Sequence, residues 1–171
     1  MLLPTCAIAA GKSPTDEFVI SAPVADHPVQ VELIAEHASV QPGGATRIGA
    51  YFQIAEGWHI YGEQPGDAGL PTSVAWRVPE GVTIGPLAWP QPSEFEDPGN
   101  IHTRGYQYHV LLWSRLAATA QVSGDIPIQA KLRWLACKDI CLPGKANLEL
   151  TLPVSPQAPV ASAHADLFPP S

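Results

Sequence analysis

Proline and glycine punctuate this chain too often for long helices to form. Nineteen prolines and fourteen glycines are spread through 171 residues; the first cannot donate inside a helix and the second costs backbone entropy there. Between these breaks the sequence alternates with the two-residue period of a half-buried strand. Val29, Val31 and Leu33 share one face of a first strand, 29–35. A second, 46–55, sets Ile48, Ala50, Phe52 and Ile54 against Arg47, Gly49, Tyr51 and Gln53. Trp58–Tyr61 continues in extended form into a turn-rich loop over 64–71, and further strands are expected over 73–78, 82–89, 106–116 and 117–122. The clearest alternation comes last, with Ile126, Ile128, Ala130, Leu132, Trp134 and Ala136 apolar at every second position and Ala146, Leu148, Leu150 and Leu152 repeating the pattern. Short alternating strands with turn signals between them predict an all-β, immunoglobulin-like antiparallel sandwich, with a barrel as the alternative.

The segments outside that pattern set the expected boundaries. Residues 1–26 read as a signal remnant or disordered lead-in: the first ten are apolar and end in small residues, without a positive start. Cys6 falls there, and Leu3-Pro4-Thr5 before it matches a lipid-attachment signal poorly. Residues 27–154 form the expected domain, and the Pro/Ala-rich run 155–171 is expected to be a disordered tail. The stretch 90–105 reads as a long irregular loop, and such loops are commonly functional. No stretch approaches the roughly eighteen apolar residues of a membrane helix. With sixteen acidic against nine basic side chains and no Lys/Arg cluster, the chain is not expected to bind nucleic acid.

Cys137 and Cys141 carry the chemistry. They stand three residues apart in Trp134-Leu135-Ala136-Cys137-Lys138-Asp139-Ile140-Cys141-Leu142-Pro143-Gly144. A bridge over so short a loop is a weak staple, worth about 2 kcal/mol against about 4.7 for a hundred-residue loop. The pair therefore reads first as a redox site and second as a local structural disulfide. If the alternation of 126–136 holds, Cys137 falls on the wetter face; a short helix over 134–142, stopped by Pro143, is the competing geometry. Lys138, Arg133 and Lys145 would favour a thiolate and Asp139 would oppose it. A copper or zinc site is a third reading, but none of the six histidines stands at ligand spacing from the cysteines, so no metal or other cofactor is expected. The five tryptophans read as packing residues, with Trp134 buttressing the cysteine motif from the inward face.

Gly57-Trp58-His59-Ile60-Tyr61, Pro65-Gly66-Asp67-Ala68-Gly69-Leu70-Pro71-Thr72, Trp89-Pro90, Gly105-Tyr106 and Ala136–Gly144 occur in an order that resembles the N-terminal periplasmic domain of the DsbD family. The likeness is greater to its ScsB-type members, linked to copper tolerance, and runs from about residue 28 to 154. It implies an immunoglobulin-like domain without a thioredoxin fold, in the periplasm of a Gram-negative bacterium. Such a domain takes reducing equivalents from a membrane electron carrier through a thioredoxin-like domain and passes them to oxidised periplasmic proteins. It implies that Cys141 bonds the partner and Cys137 resolves the mixed disulfide. It also implies an aromatic cap, for which Phe95 is the candidate, flanked by Glu94 and Glu96, with Tyr61 near the site. The cysteines here are closer together than in the best-known DsbD domains, and the membrane helices and thioredoxin-like domain are not in this sequence. A non-catalytic immunoglobulin-like module, docking a protein or copper, is the alternative function.

Overall fold

A computed structural model of the chain describes residues 18–171. Ten strands run in chain order: β1 (Val29–Ala35), β2 (Ala45–Ile54), β3 (His59–Gly66), β4 (Ser73–Arg77), β5 (Val82–Ile84), β6 (Ser93–Asp97), β7 (Ile101–Tyr106), β8 (His109–Ala118), β9 (Asp125–Cys137) and β10 (Cys141–Pro153). All pairings among them are antiparallel. One sheet has the order β1-β2-β8-β5 and the other β10-β9-β3-β7-β6, with β4 alongside β9. Helix among the described residues is confined to one 3-10 turn, Ala165–Leu167. The fold is an immunoglobulin-like β-sandwich.

Strand periodicity decides which residues meet between the sheets. Along β9, Ile126, Ile128, Ala130, Leu132, Trp134 and Ala136 are all buried, and the residues between them face outward. They pack on Phe52, Val110 and Leu112 at one end of the sandwich and on Ile48, Leu116 and Leu152 at the other. Each large side chain removed from water here contributes about 1.5–3 kcal/mol. Slipping β9 by one residue would turn this whole row to solvent, so its register is fixed.

Several segments depart from the sequence expectation. The stretch 90–105 is not irregular: Ser93–Asp97 and Ile101–Tyr106 form a hairpin, reversing through Pro98–Asn100. The flanking prolines hide a five-residue strand whose only sheet neighbour is β7. The expected strand 106–116 is two strands divided at Gln107–Tyr108, where Tyr108 takes a φ of 64°. Residues 117–122 add no strand of their own, since β8 ends at Ala118 and the chain then turns. Within 82–89 only Val82–Ile84 joins the sheet, followed by a single bridge from Ala88 to Trp113.

The C-terminal segment differs most. Its composition suggests disorder, yet it lies against the β1–β2 edge. Ala38 N–H donates to the Val160 carbonyl at 3.0 Å, Ser162 N–H donates to the Glu36 carbonyl at 2.9 Å, and the Ser162 hydroxyl donates to the Ala35 carbonyl at 2.6 Å. Phe168 is buried with Ile34 and Leu111. Composition reports what a segment can bury within itself, and this one buries its phenyl ring against a neighbour. At the other end of the chain, Ser21 exchanges two backbone hydrogen bonds with Asn147. The expected signal remnant and Cys6 lie outside the described residues.

Candidate functional site

The β9–β10 ladder places Cys137 directly opposite Cys141, and the two sulfurs are bonded. Lys138-Asp139-Ile140 closes the hairpin, with Lys138 N–H donating to the Ile140 carbonyl at 3.0 Å. No helix forms over 134–142, because β9 continues through Cys137 and β10 begins at Cys141. Trp134 lies beneath the hairpin on the core side, edge-on to Phe52 at 5.6 Å and to His27 at 5.5 Å. Its register partner is Gly144, and a Cβ there would collide with the indole. The glycine of the cysteine motif is thus what lets β10 cross that ring.

The two cysteines differ in exposure. Cys141 is exposed, whereas Cys137 is only 3% exposed. The alternation puts Cys137 on the outward face, as expected, but that face is not wet. On the opposite side of β9, β3 pairs His59 with Cys137, and the Phe95 ring of β6 stacks on His59 at 4.7 Å, 21° from parallel. Tyr61 meets His59 edge-on at 5.1 Å. The outward face is therefore dry here because the β6–β7 hairpin covers it. Buried Thr103 lies opposite Phe95 in that hairpin.

Tyr61 is buried, and its hydroxyl is pushed above the usual tyrosine range, first by burial and then by the charge of Asp97. The Thr72 hydroxyl donates to the Tyr61 carbonyl at 2.7 Å, and Gly69, at a φ of +93°, passes so close to the ring that a Cβ would overlap it. Asp67 holds the same loop by accepting the His102 N–H on its carboxylate at 2.9 Å. Phe95 and Tyr61 thus converge on His59. Glu94 does not join them: it alternates to the other face of β6 and pairs with Arg104 at 3.3 Å in solvent.

His59 is the site residue that sequence reasoning passed over, having weighed the histidines only as metal ligands. It is buried, and burial lowers its pKa while Asp97 pulls the other way. Its Nε2 is buried with no hydrogen-bond partner. The signal was present in the motif Gly57–Tyr61, but only the pairing of β3 with β9 shows that His59 faces Cys137. Arg133 and Lys145 oppose each other four positions down the ladder, roughly 13 Å away at strand rise, where their effect on the sulfurs is screened. Lys138 lies nearer, its side chain against Gly57. Among the described residues no group of three His, Cys, Asp or Glu side chains is placed to hold a metal ion.

Apolar side chains stand exposed among charged ones beside the hairpin. Ile140 in the turn is 62% exposed and Leu70 is 61% exposed. Leu70, Pro71, Trp134, Pro143 and Gly144 line a cleft of about 600 Å³ beside the hairpin. No helix among the described residues is long and apolar enough to cross a membrane.

Comparison with known proteins gives a family and a fold. A family profile described as "Thiol:disulfide interchange protein DsbD, N-terminal" matches residues 26–153. Among solved structures, the N-terminal periplasmic domain of ScsB from Proteus mirabilis superposes with a TM-score of 0.58 at 23% identity, over 84% of this chain and 52% of that one. This chain therefore spans about half the length of that ScsB domain, and at such identity the likeness is one of fold. The reduced N-terminal domain of DsbD from Neisseria meningitidis gives a TM-score of 0.40 at 17% identity, over 71% of this chain and 84% of that one. No curated protein matches the sequence.

Proposed function

This chain belongs to the DsbD N-terminal domain family, and from that premise we propose that it relays electrons in the periplasm by thiol–disulfide exchange through Cys137 and Cys141. The observation that carries the reading is the asymmetry of the bridge, with one sulfur at the surface and the other covered. A thioredoxin-like donor, itself served by a membrane carrier of the DsbD type, attacks exposed Cys141 Sγ with a thiolate. That attack breaks the bridge, forms a mixed disulfide and releases Cys137, which takes up a proton. The donor's second thiol then displaces Cys141. The reduced domain spends its two electrons on an oxidised periplasmic protein by the same steps in reverse.

The surroundings support this role. Exposed Ile140, next to Cys141 in the turn, and the cleft of Leu70, Pro71 and Pro143 beside the hairpin give a partner apolar surface to dock on. Phe95, over His59, acts as a cap that moves aside on docking. Glu94, paired with Arg104 in solvent, flanks the cap without touching the sulfurs. A purely structural bridge is the weaker reading: β9 and β10 already pair along their full thirteen-residue lengths, and the bridge would add only about 2 kcal/mol.

The test is to mix the oxidised domain with a reduced thioredoxin and follow thiol release and mass. Rapid reduction is expected in the wild type. With Cys137→Ser, a thioredoxin variant lacking its resolving cysteine should be trapped as a mixed disulfide on Cys141, through exchange with a small-molecule disulfide carried there. A wild-type bridge that thioredoxin leaves intact contradicts the relay.

A further inference from the structure

Cys137 poses a proton problem that the exchange reading leaves open. When the bridge re-forms, its thiol must lose a proton, and Cys137 is almost out of reach of water. Burial in apolar surroundings holds a thiol protonated. The groups that face this point are few. Across the ladder on one side is His59 and on the other Cys141, and directly opposed residues have Cβ atoms about 4.5–5.5 Å apart on a shared face. Tyr61, on β3, is held protonated by burial and by Asp97. From β6 come Phe95, which has no proton acceptor, and Asp97, whose carboxylate accepts the Thr103 hydroxyl at 3.5 Å and acts on His59 and Tyr61 through its charge, not through a contact with Cys137 across the ladder. Glu94 and Glu96 are exposed on the other face of that strand, Thr103 of β7 is uncharged, and in the turn Lys138 is a cation and Asp139 is exposed to solvent.

That leaves the imidazole. Its buried Nε2 finds no partner in the disulfide form, and a buried polar atom left unpaired is costly. A neutral imidazole offers one acceptor nitrogen, and burial keeps His59 neutral by disfavouring its charged form. From the ladder geometry and the unpartnered nitrogen we infer that His59 is the proton acceptor for the Cys137 thiol in the resolving step, an inference that rests on the exchange function above. In the mixed disulfide Cys141–S–S–R, the Cys137 S–H proton passes to the unprotonated ring nitrogen. The thiolate attacks Cys141 Sγ, the Cys137–Cys141 bond forms and the Cys141–S–R bond breaks. The sulfur of R leaves with the electron pair and recovers the proton from the imidazolium. Over the cycle the domain's dithiol is oxidised and the partner's disulfide is reduced, two electrons and two protons passing across.

The experiment is a stopped-flow reaction of the fully reduced chain, with Cys6→Ser so that only the two site cysteines react, with a chromogenic aryl disulfide, dithiobis-nitrobenzoate. Two equivalents of coloured thiolate are released in sequence. The first reports attack by exposed Cys141, and the second reports resolution by Cys137. In His59→Gln and His59→Asn the first phase should match the wild type. The second should be slower by about a hundredfold at pH 7, the lower edge of what general bases supply. The gap should narrow as pH rises, because hydroxide then takes the Cys137 proton without the imidazole. A second phase unchanged at pH 7 in both variants overturns the inference. So does a slowing of both phases by one factor at every pH, which marks a structural role. Failure of the exchange function itself would appear elsewhere, as a wild-type bridge that thioredoxin does not reduce.

Discussion

Two segments lie on the outside of this sandwich, and they are held in different ways. The C-terminal run, 156–171, is tied along the β1–β2 edge by backbone hydrogen bonds, by Phe168 buried between Ile34 and Leu111, and by Arg47. That guanidinium donates to the Pro169 carbonyl at 2.6 Å and to Glu36 at 2.7 Å, and it lies over both Trp113 and Phe168. The β6–β7 hairpin covers the disulfide's neighbourhood with a single half-buried ring, Phe95 on His59. Its outer edge carries only the solvent-exposed Glu94–Arg104 pair. A segment fixed by many mutually supporting contacts is a permanent part of the fold. The hairpin too is anchored, through β7 to β3, but the Phe95 ring at its outer strand is held by one stacking contact and is the part that a partner supplying another apolar surface would displace. The same chain therefore has a strap and, in the function proposed above, a cover beside its disulfide.

Removing the anchor of each segment separates these roles. Phe168→Ala should have the largest effect on stability, about 3–5 kcal/mol in urea unfolding, the usual cost of truncating a buried phenylalanine. It should leave the rate of bridge reduction by dithiothreitol unchanged. Glu36→Gln comes next, at about 1–2 kcal/mol, because it strips a charge-assisted, largely buried pair from Arg47. The Arg47 hydrogen bond holds the Glu36 carboxyl below its ordinary value of 4.5. Its contribution is then complete above that value and is lost as pH falls through the lower, folded-state pKa. The variant's stability should accordingly fall less steeply with acid than the wild type's.

Phe95→Ala reverses the pattern. Its cost in stability should stay under about 1 kcal/mol, since the ring is half-buried at a sheet edge. Its bridge should be reduced about three- to tenfold faster, because Cys137, the sulfur that leaves, is then better solvated and leaves more readily as a thiolate. Equal reduction rates in Phe95→Ala and wild type would break the comparison. Arg104→Ala should be the mildest change, within about 0.5 kcal/mol, as for other exposed ion pairs. A larger loss would show that the hairpin is held more firmly than its contacts indicate.

The sandwich was legible in the sequence because β9 and β10 write their alternation without interruption, and period two admits few other readings. The cysteine pair was legible for the same reason: register alone puts both residues on one face. What sequence reasoning could not see was the state of that face. Cys137 was expected to be wet, and it is covered, because the covering strand is only five residues long and sits among prolines. His59 was hidden for a related reason, since its neighbour lies 78 positions away on a strand whose partner is fixed by tertiary packing. The tail was misread because its low apolar content conceals one phenylalanine that finds a site on another element.

The central claim is that the Cys137–Cys141 bridge is a working redox couple and not a fastener. Its reduction potential, measured in a glutathione or dithiothreitol series with circular dichroism followed in parallel, tests this most directly. The account predicts a potential in the range of exchange partners, roughly −180 to −270 mV, with the β-sheet signal intact after reduction. A potential below about −300 mV, or unfolding on reduction, would contradict it and make the bridge structural.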